Sequence, residues 1–140
     1  MKRHKAAPML EATIGYAADE RGLGIAYVAT YRGDAPLLLR LPFKVQRYPA
    51  LQDREIAYAA LTTAARALRE RGVRRVAFGV ADAELVADVM ERRAVPPAIA
   101  LPYVRLGCAL NQFVEYRLVT APNDDLSGRA RAEVALSVAA

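Results

Sequence analysis

The feature that most constrains this chain is a change of hydrophobic period near residue 53. Over residues 53–71 the apolar side chains recur at helical spacing, with Ile56, Ala57, Ala60, Leu61, Ala64, Ala65 and Leu68 on one stripe. Gly72 stands where a left-handed helix stop belongs. Ahead of the switch, residues 13–16, 25–31 and 36–43 are rich in branched and aromatic side chains and read as strands. Turn chemistry separates them, at residues 19–24 and at Arg32-Gly33-Asp34. A three-stranded antiparallel meander followed by a long amphipathic helix is the expected opening.

Downstream, residues 76–80 alternate as a strand, and Leu85, Val86, Val89 and Met90 give the next helix its expected buried side. Pro96-Pro97 ends the connection that follows. Tyr103, Val104, Leu106, Gly107, Cys108 and Leu110 suggest a third helix, residues 113–119 a further strand, and Pro122-Asn123 a break. A last helix places Leu126, Ala130, Val134 and Val138 on one face. Strands flanked by helices after an antiparallel opening imply an α/β fold with a mixed five-stranded sheet: the meander plus two further strands, covered by helices.

Composition sets the outer bounds. The 140 residues suit one domain, and 54% apolar with 25% charged residues is ordinary globular composition. Residues 1–12 read as a basic flexible tail carrying Lys2, Arg3, His4 and Lys5, and residues 13–140 as the domain. A net charge of +5 favours a polyanionic partner without identifying one. Cys108 is the only cysteine, which excludes an intramolecular disulfide or a thiolate zinc cluster and points to a reducing compartment. No run approaches the roughly 20 apolar residues of a membrane span, and no signal-peptide pattern follows the N-terminus. The expectation is a cytoplasmic protein with no membrane contact.

The order of elements, together with three local strings, resembles ribonuclease H of the short bacterial type. Residues 56–65, Ile-Ala-Tyr-Ala-Ala-Leu-Thr-Thr-Ala-Ala, follow the spacing of that family's first long helix, Ala-Glu-Tyr-x-Ala-Leu-x-x-Ala-Leu. Asp82-Ala83-Glu84-Leu85-Val86 resembles the family's Asp-Ser-x-Leu-Val. Leu101-Pro102-Tyr103 through Phe113 and Val119 resemble its late helix and fifth strand. The resemblance runs over nearly the whole chain from Thr13, and it implies the ribonuclease H fold.

It also implies a chemistry, because such nucleases use clustered carboxylates to hold a magnesium pair that activates water for in-line attack. Carried over by position, the first-strand aspartate falls at Ala17 and the helical glutamate at Ala57, while the fourth-strand aspartate is retained as Asp82. The last acid falls at Arg131 or Ala132, with Glu133 available only under a shifted register. On the simplest alignment, then, only Asp82 remains. Asp19 and Glu55 are rescue candidates. Glu55 lies two residues from Ala57, about 200° around a helix, whereas Asp19 keeps the strand face of Ala17 but enters a turn. Asp82 has two readings: remnant metal ligand, or N-cap of the helix that opens at Ala83.

The cluster Arg66, Arg69, Arg71, Arg74 and Arg75 is the candidate phosphate-contacting patch; it reads equally as cations complementing a helix C-terminus, with Arg66 four residues before Glu70. Cys108 reads as a buried small apolar group and the tyrosines as core and strand residues. The expected function is a catalytically degenerate ribonuclease H-like module, with no cofactor, that binds nucleic acid weakly or a protein partner. The alternatives are a divergent magnesium-dependent nuclease acting on RNA in RNA:DNA hybrids, and a structural or dimerisation module.

Overall fold

A computed structural model of the chain describes residues 9–32, 35–45 and 52–139. The meander consists of β1 (Leu10–Ala18), β2 (Leu23–Arg32) and β3 (Ala35–Lys44), and it leads into α1 (Asp53–Glu70). Then come β4 (Arg75–Val80), α2 (Ala83–Met90), α3 (Pro97–Leu110), β5 (Glu115–Thr120) and α4 (Asp124–Ala139). The sheet order is β3-β2-β1-β4-β5. β1 pairs antiparallel with β2, and β2 with β3; β1 with β4 and β4 with β5 are parallel. This is the expected mixed five-stranded sheet.

Strand alternation divides the chain between two layers. Ala12 and Ile14 of β1, Val28 of β2 and Val76, Phe78 and Val80 of β4 point to one face, where Ala57, Leu61, Ala64 and Leu68 of α1 and Leu106 and Leu110 of α3 complete the main core. On the opposite face Ile25 and Tyr27 of β2 meet Ala130 of α4, with Ala17, Leu126 and Val134 beside them. Gly15 sits between these layers for a steric reason: a Cβ there would lie 2.3 Å from Leu126 Cβ and 2.4 Å from the Ser127 backbone nitrogen. Only a bare backbone lets α4 lie directly on β1.

The long helix ends as its sequence predicts, with Gly72 at φ +85°. Several details differ. β1 begins at Leu10, so residues 10–12 are sheet rather than tail, and residues 1–8 lie outside the described part. The Arg32-Gly33-Asp34 turn falls partly outside it as well, and so does the side chain of Val138. The connection before α3 ends at Pro96-Pro97 as expected, and the prolines open the helix: Pro96 is its N-cap and Pro97 its first residue, where the missing N–H would have no partner in any case. In α2 the buried residues are Leu85 and Asp88, while Met90 is 44% exposed. Cys108 is exposed on α3, not buried. Among the described residues, no helix is long and apolar enough to cross a membrane.

Candidate functional site

The C-terminal ends of β1 and β4 open into a cleft of about 380 Å³, closed by the first turns of α1 and α4. In sheets of this kind the strand ends are where loops and helix starts converge, so side chains from distant segments meet there. Tyr16, Ala17, Asp53, Asn123, Ser127 and Arg131 all line it. Two contacts of the buried Asn123 side chain hold α4 in place. The Asn123 side-chain amide donates to the Ile14 carbonyl, and its oxygen accepts the Ser127 hydroxyl at 2.9 Å.

Of the residues expected to converge, Ala17 lines the cleft, but its side chain packs toward α4 rather than α1. Tyr16, on the opposite strand face, packs against α1. Burial is the main force pushing its phenol upward, and the nearby carboxylates of Asp82 and then Asp53 push the same way. Tyr16 therefore keeps its proton in the neighbourhood of both acids. Ala57 is fully buried beneath α1. Asp53, four residues earlier on the same helix face, reaches the cleft instead. Sequence reasoning passed over Asp53 because it reads as a first-turn acid favourable to the helix dipole. The i, i+4 relation to Ala57 was the available signal.

Asp82 caps α2: its carboxylate accepts the Leu85 amide at 3.1 Å. Asp19 does not reach the cleft lining; its Oδ1 accepts the amides of Arg21 at 2.8 Å and Leu23 at 3.0 Å, which closes the β1–β2 turn. Glu133 is engaged at the sheet surface, where it accepts from Tyr27 and pairs with Arg40. Those hydrogen bonds, with Arg40 foremost, hold its carboxyl below the usual glutamate value. Arg129 stacks over the same tyrosine at 4.9 Å. Arg131, in contrast, turns into the cleft.

The arginines of the cluster lie in three different surroundings. Arg69 donates to the Val73 carbonyl at 2.9 Å and lies 5.8 Å from the Phe113 ring centre, and Arg71 donates to the Ala67 carbonyl. Both serve the end of α1. Arg75 pairs with Glu115 on β5 at 3.0 Å, and Arg74 is exposed near that strand's start. Arg66 faces elsewhere, into a groove between α1 and α3 that it shares with Lys44 and Arg105.

Two acids are buried outside the cleft, and the sequence singled out only Glu55. Asp88 is 3% exposed and accepts the Tyr58 hydroxyl at 3.0 Å; Arg93 pairs with it at 3.0 Å and Arg54 at 3.5 Å. Glu55 is 4% exposed and lines the α1–α3 groove. Among the described residues, no hydrogen bond or ion pair joins its carboxylate to another side chain or backbone group. As the helical rotation predicts, it faces away from the cleft.

No protein-family model matches the sequence, and no curated protein matches it. Solved structures do. Ribonuclease H1 from the halophilic archaeon Halobacterium salinarum superposes with a TM-score of 0.73 at 16% identity, over 93% of this chain and 99% of that one. The N-terminal ribonuclease H domain of a Mycobacterium tuberculosis protein gives 0.72 at 14%, over 94% and 99%. LC11 ribonuclease H1, solved in complex with an RNA/DNA hybrid, gives 0.70 at 14%, also over 94% and 99%.

Proposed function

The chain has the ribonuclease H fold, and from that premise we propose that it is a nucleic-acid-binding module that does not cleave. One observation carries this reading: Arg131, at a position where the resemblance implies the last carboxylate, lines the cleft. An acid there would attract metal ions, whereas an arginine attracts phosphate. The change reverses the charge preference of the site.

The remaining donors do not fit a magnesium pair. Two metal ions about 4 Å apart need several carboxylates to offset their repulsion. Here Asp53 and Asp82 flank a neutral phenol, Asp82 is engaged by a helix amide, and Arg131 adds positive charge. Among the described residues, no group of three or more His, Cys, Asp and Glu side chains is placed to hold a metal ion. Binding through Arg131 uses phosphate contacts, which position a duplex without reading its sequence. A cytoplasmic location, consistent with a single cysteine, belongs to the same proposal.

The test is fluorescence anisotropy with a labelled RNA:DNA hybrid over a salt series. Binding should weaken with salt at a slope of about 0.9 per phosphate neutralised, and Arg131→Glu should lower affinity at least tenfold. Unchanged binding by Arg131→Glu would move the interface away from the cleft.

A further inference from the structure

Besides the cleft, α1 borders a second concavity with its own chemistry. Glu55, Ala59, Thr62 and Arg66 fall at i, i+4, i+7 and i+11, one row along the helix. Facing this row across the groove are Leu101, Pro102 and Arg105 of α3, with Lys44 at the end of β3. Burial orders the groove from floor to rim. Glu55 is 96% enclosed, whereas Lys44, Arg66 and Arg105 are exposed. The wall between them is apolar, formed by Leu101 and Pro102.

Among the described residues nothing donates to the Glu55 carboxylate, which opens on the groove rather than being sealed in the core. Asp88, buried to the same degree, has three donors. The Glu55 carboxylate is an acceptor only, so its complement is a group with N–H donors. Three cations at the mouth exclude a simple cation and select a ligand that is anionic outside and donor-bearing inside. The groove holds about 130 Å³, well below the roughly 300 Å³ of sites that enclose a whole drug-sized ligand. It accommodates a flat ring and leaves the charged remainder at the rim.

We infer that the Glu55 groove is a guanine pocket, taking one unstacked guanine with its 5′-phosphate on Arg66, Arg105 and Lys44. Among the bases only guanine offers two adjacent donors, the N1–H and the 2-amino group, to one carboxylate, and such paired charge-assisted bonds are the strong ones. Adenine and cytosine place a ring nitrogen acceptor beside their amino group, which the carboxylate repels. Uracil offers a single N–H between two carbonyls. Recognition of a splayed base by its edge, with apolar packing on its faces, is how single-stranded nucleic acid is read. The choice of a nucleotide rests on the nucleic-acid reading above; the demand for paired donors does not.

Calorimetric titration of the full chain with guanosine, inosine and adenosine 5′-monophosphates tests this. Guanosine monophosphate should bind at least tenfold more tightly than adenosine monophosphate, with inosine monophosphate, which lacks the 2-amino group, between them. Glu55→Gln should bring guanosine down to the adenosine level, and Arg105→Ala should weaken all three alike. Equal affinities, no saturable binding of guanosine monophosphate at millimolar concentration, or a preference that survives Glu55→Gln would each overturn the pocket. The three nucleotides compared on the unaltered chain keep the test decisive if a variant misfolds. Hybrid binding without a guanine preference would sink the pocket and leave the module reading standing; a guanine preference without hybrid binding would do the reverse.

Discussion

Asp88 and Glu55 are buried to 3% and 4% exposure on either side of the start of α1, yet their surroundings are opposite. Asp88 belongs to a closed network: Tyr58 and Arg54 of α1 and Arg93 after α2 meet its two oxygens, and Arg54 and Arg93 also reach Glu84. Its carboxylate and hydrogen bond help push the Tyr58 phenol up, after burial as the first cause. Glu55 lacks such company and looks into a groove. Burial with partners reads as architecture, and burial without them beside an open cavity reads as a binding group. The cleft gives the third case, since Asp53 is the acid in its lining and the nearby Asp82 is occupied in capping α2.

The largest effect expected from this contrast is on stability at Asp88. Asp88→Ala strands two arginines and a tyrosine hydroxyl, and should destabilise by about 3 kcal/mol in a urea titration, as breaking one side of a buried ion pair does. A loss under 1 kcal/mol would show that the network relaxes into water and that the comparison with Glu55 is not one of architecture against function.

Next comes Asp82. If it acts as the α2 cap, Asp82→Ala should cost about 1 kcal/mol and Asp82→Asn much less, because asparagine caps as well. A gain in stability on neutralisation, with a magnesium-dependent rise in the wild-type melting temperature, would instead mark a working acid cluster.

Glu55→Gln should contrast with Asp88→Ala: no donor loses its partner, so stability should stay within about 0.5 kcal/mol of the unaltered chain. Destabilisation comparable to Asp88→Ala would mean that Glu55 is a structural acid after all.

The smallest effect concerns pH. Glu133 has its carboxyl lowered by Arg40 and Tyr27, so its contribution is present above the ordinary glutamate value and is lost as pH falls through its depressed folded value. Thermal melts from pH 6 to pH 3 should decline more shallowly in Glu133→Gln than in the wild type. Parallel curves would remove Glu133 as an acid-sensitive brace between α4 and the meander.

Much of this architecture was legible because apolar periodicity and turn residues act locally. The α1 stripe, Gly72 as its stop and the Asp19 turn followed from spacing alone, and the mixed sheet follows from the order of elements. The face of Tyr16 against Ala17 was not legible, since a one-residue slip along a strand exchanges the two layers and only packing against α1 on one side and α4 on the other fixes it. Asp88 reads as a solvent-facing acid in an apolar helix until Arg54 and Arg93, distant in sequence, are brought to it. The arginine cluster was ambiguous because side chains tied to their own helix end are indistinguishable, in sequence, from free ones. Asp53 was hidden by its ordinary place in a first turn. In each case the missing information was tertiary contact.

The most direct measurement of the central claim is a labelled RNA:DNA hybrid incubated with the purified chain in millimolar magnesium, read for binding by anisotropy and for cleavage on a denaturing gel. A salt-sensitive complex with the RNA strand intact is the predicted result. Magnesium-dependent cutting of the RNA strand that disappears in both Asp82→Asn and Asp53→Asn would contradict it.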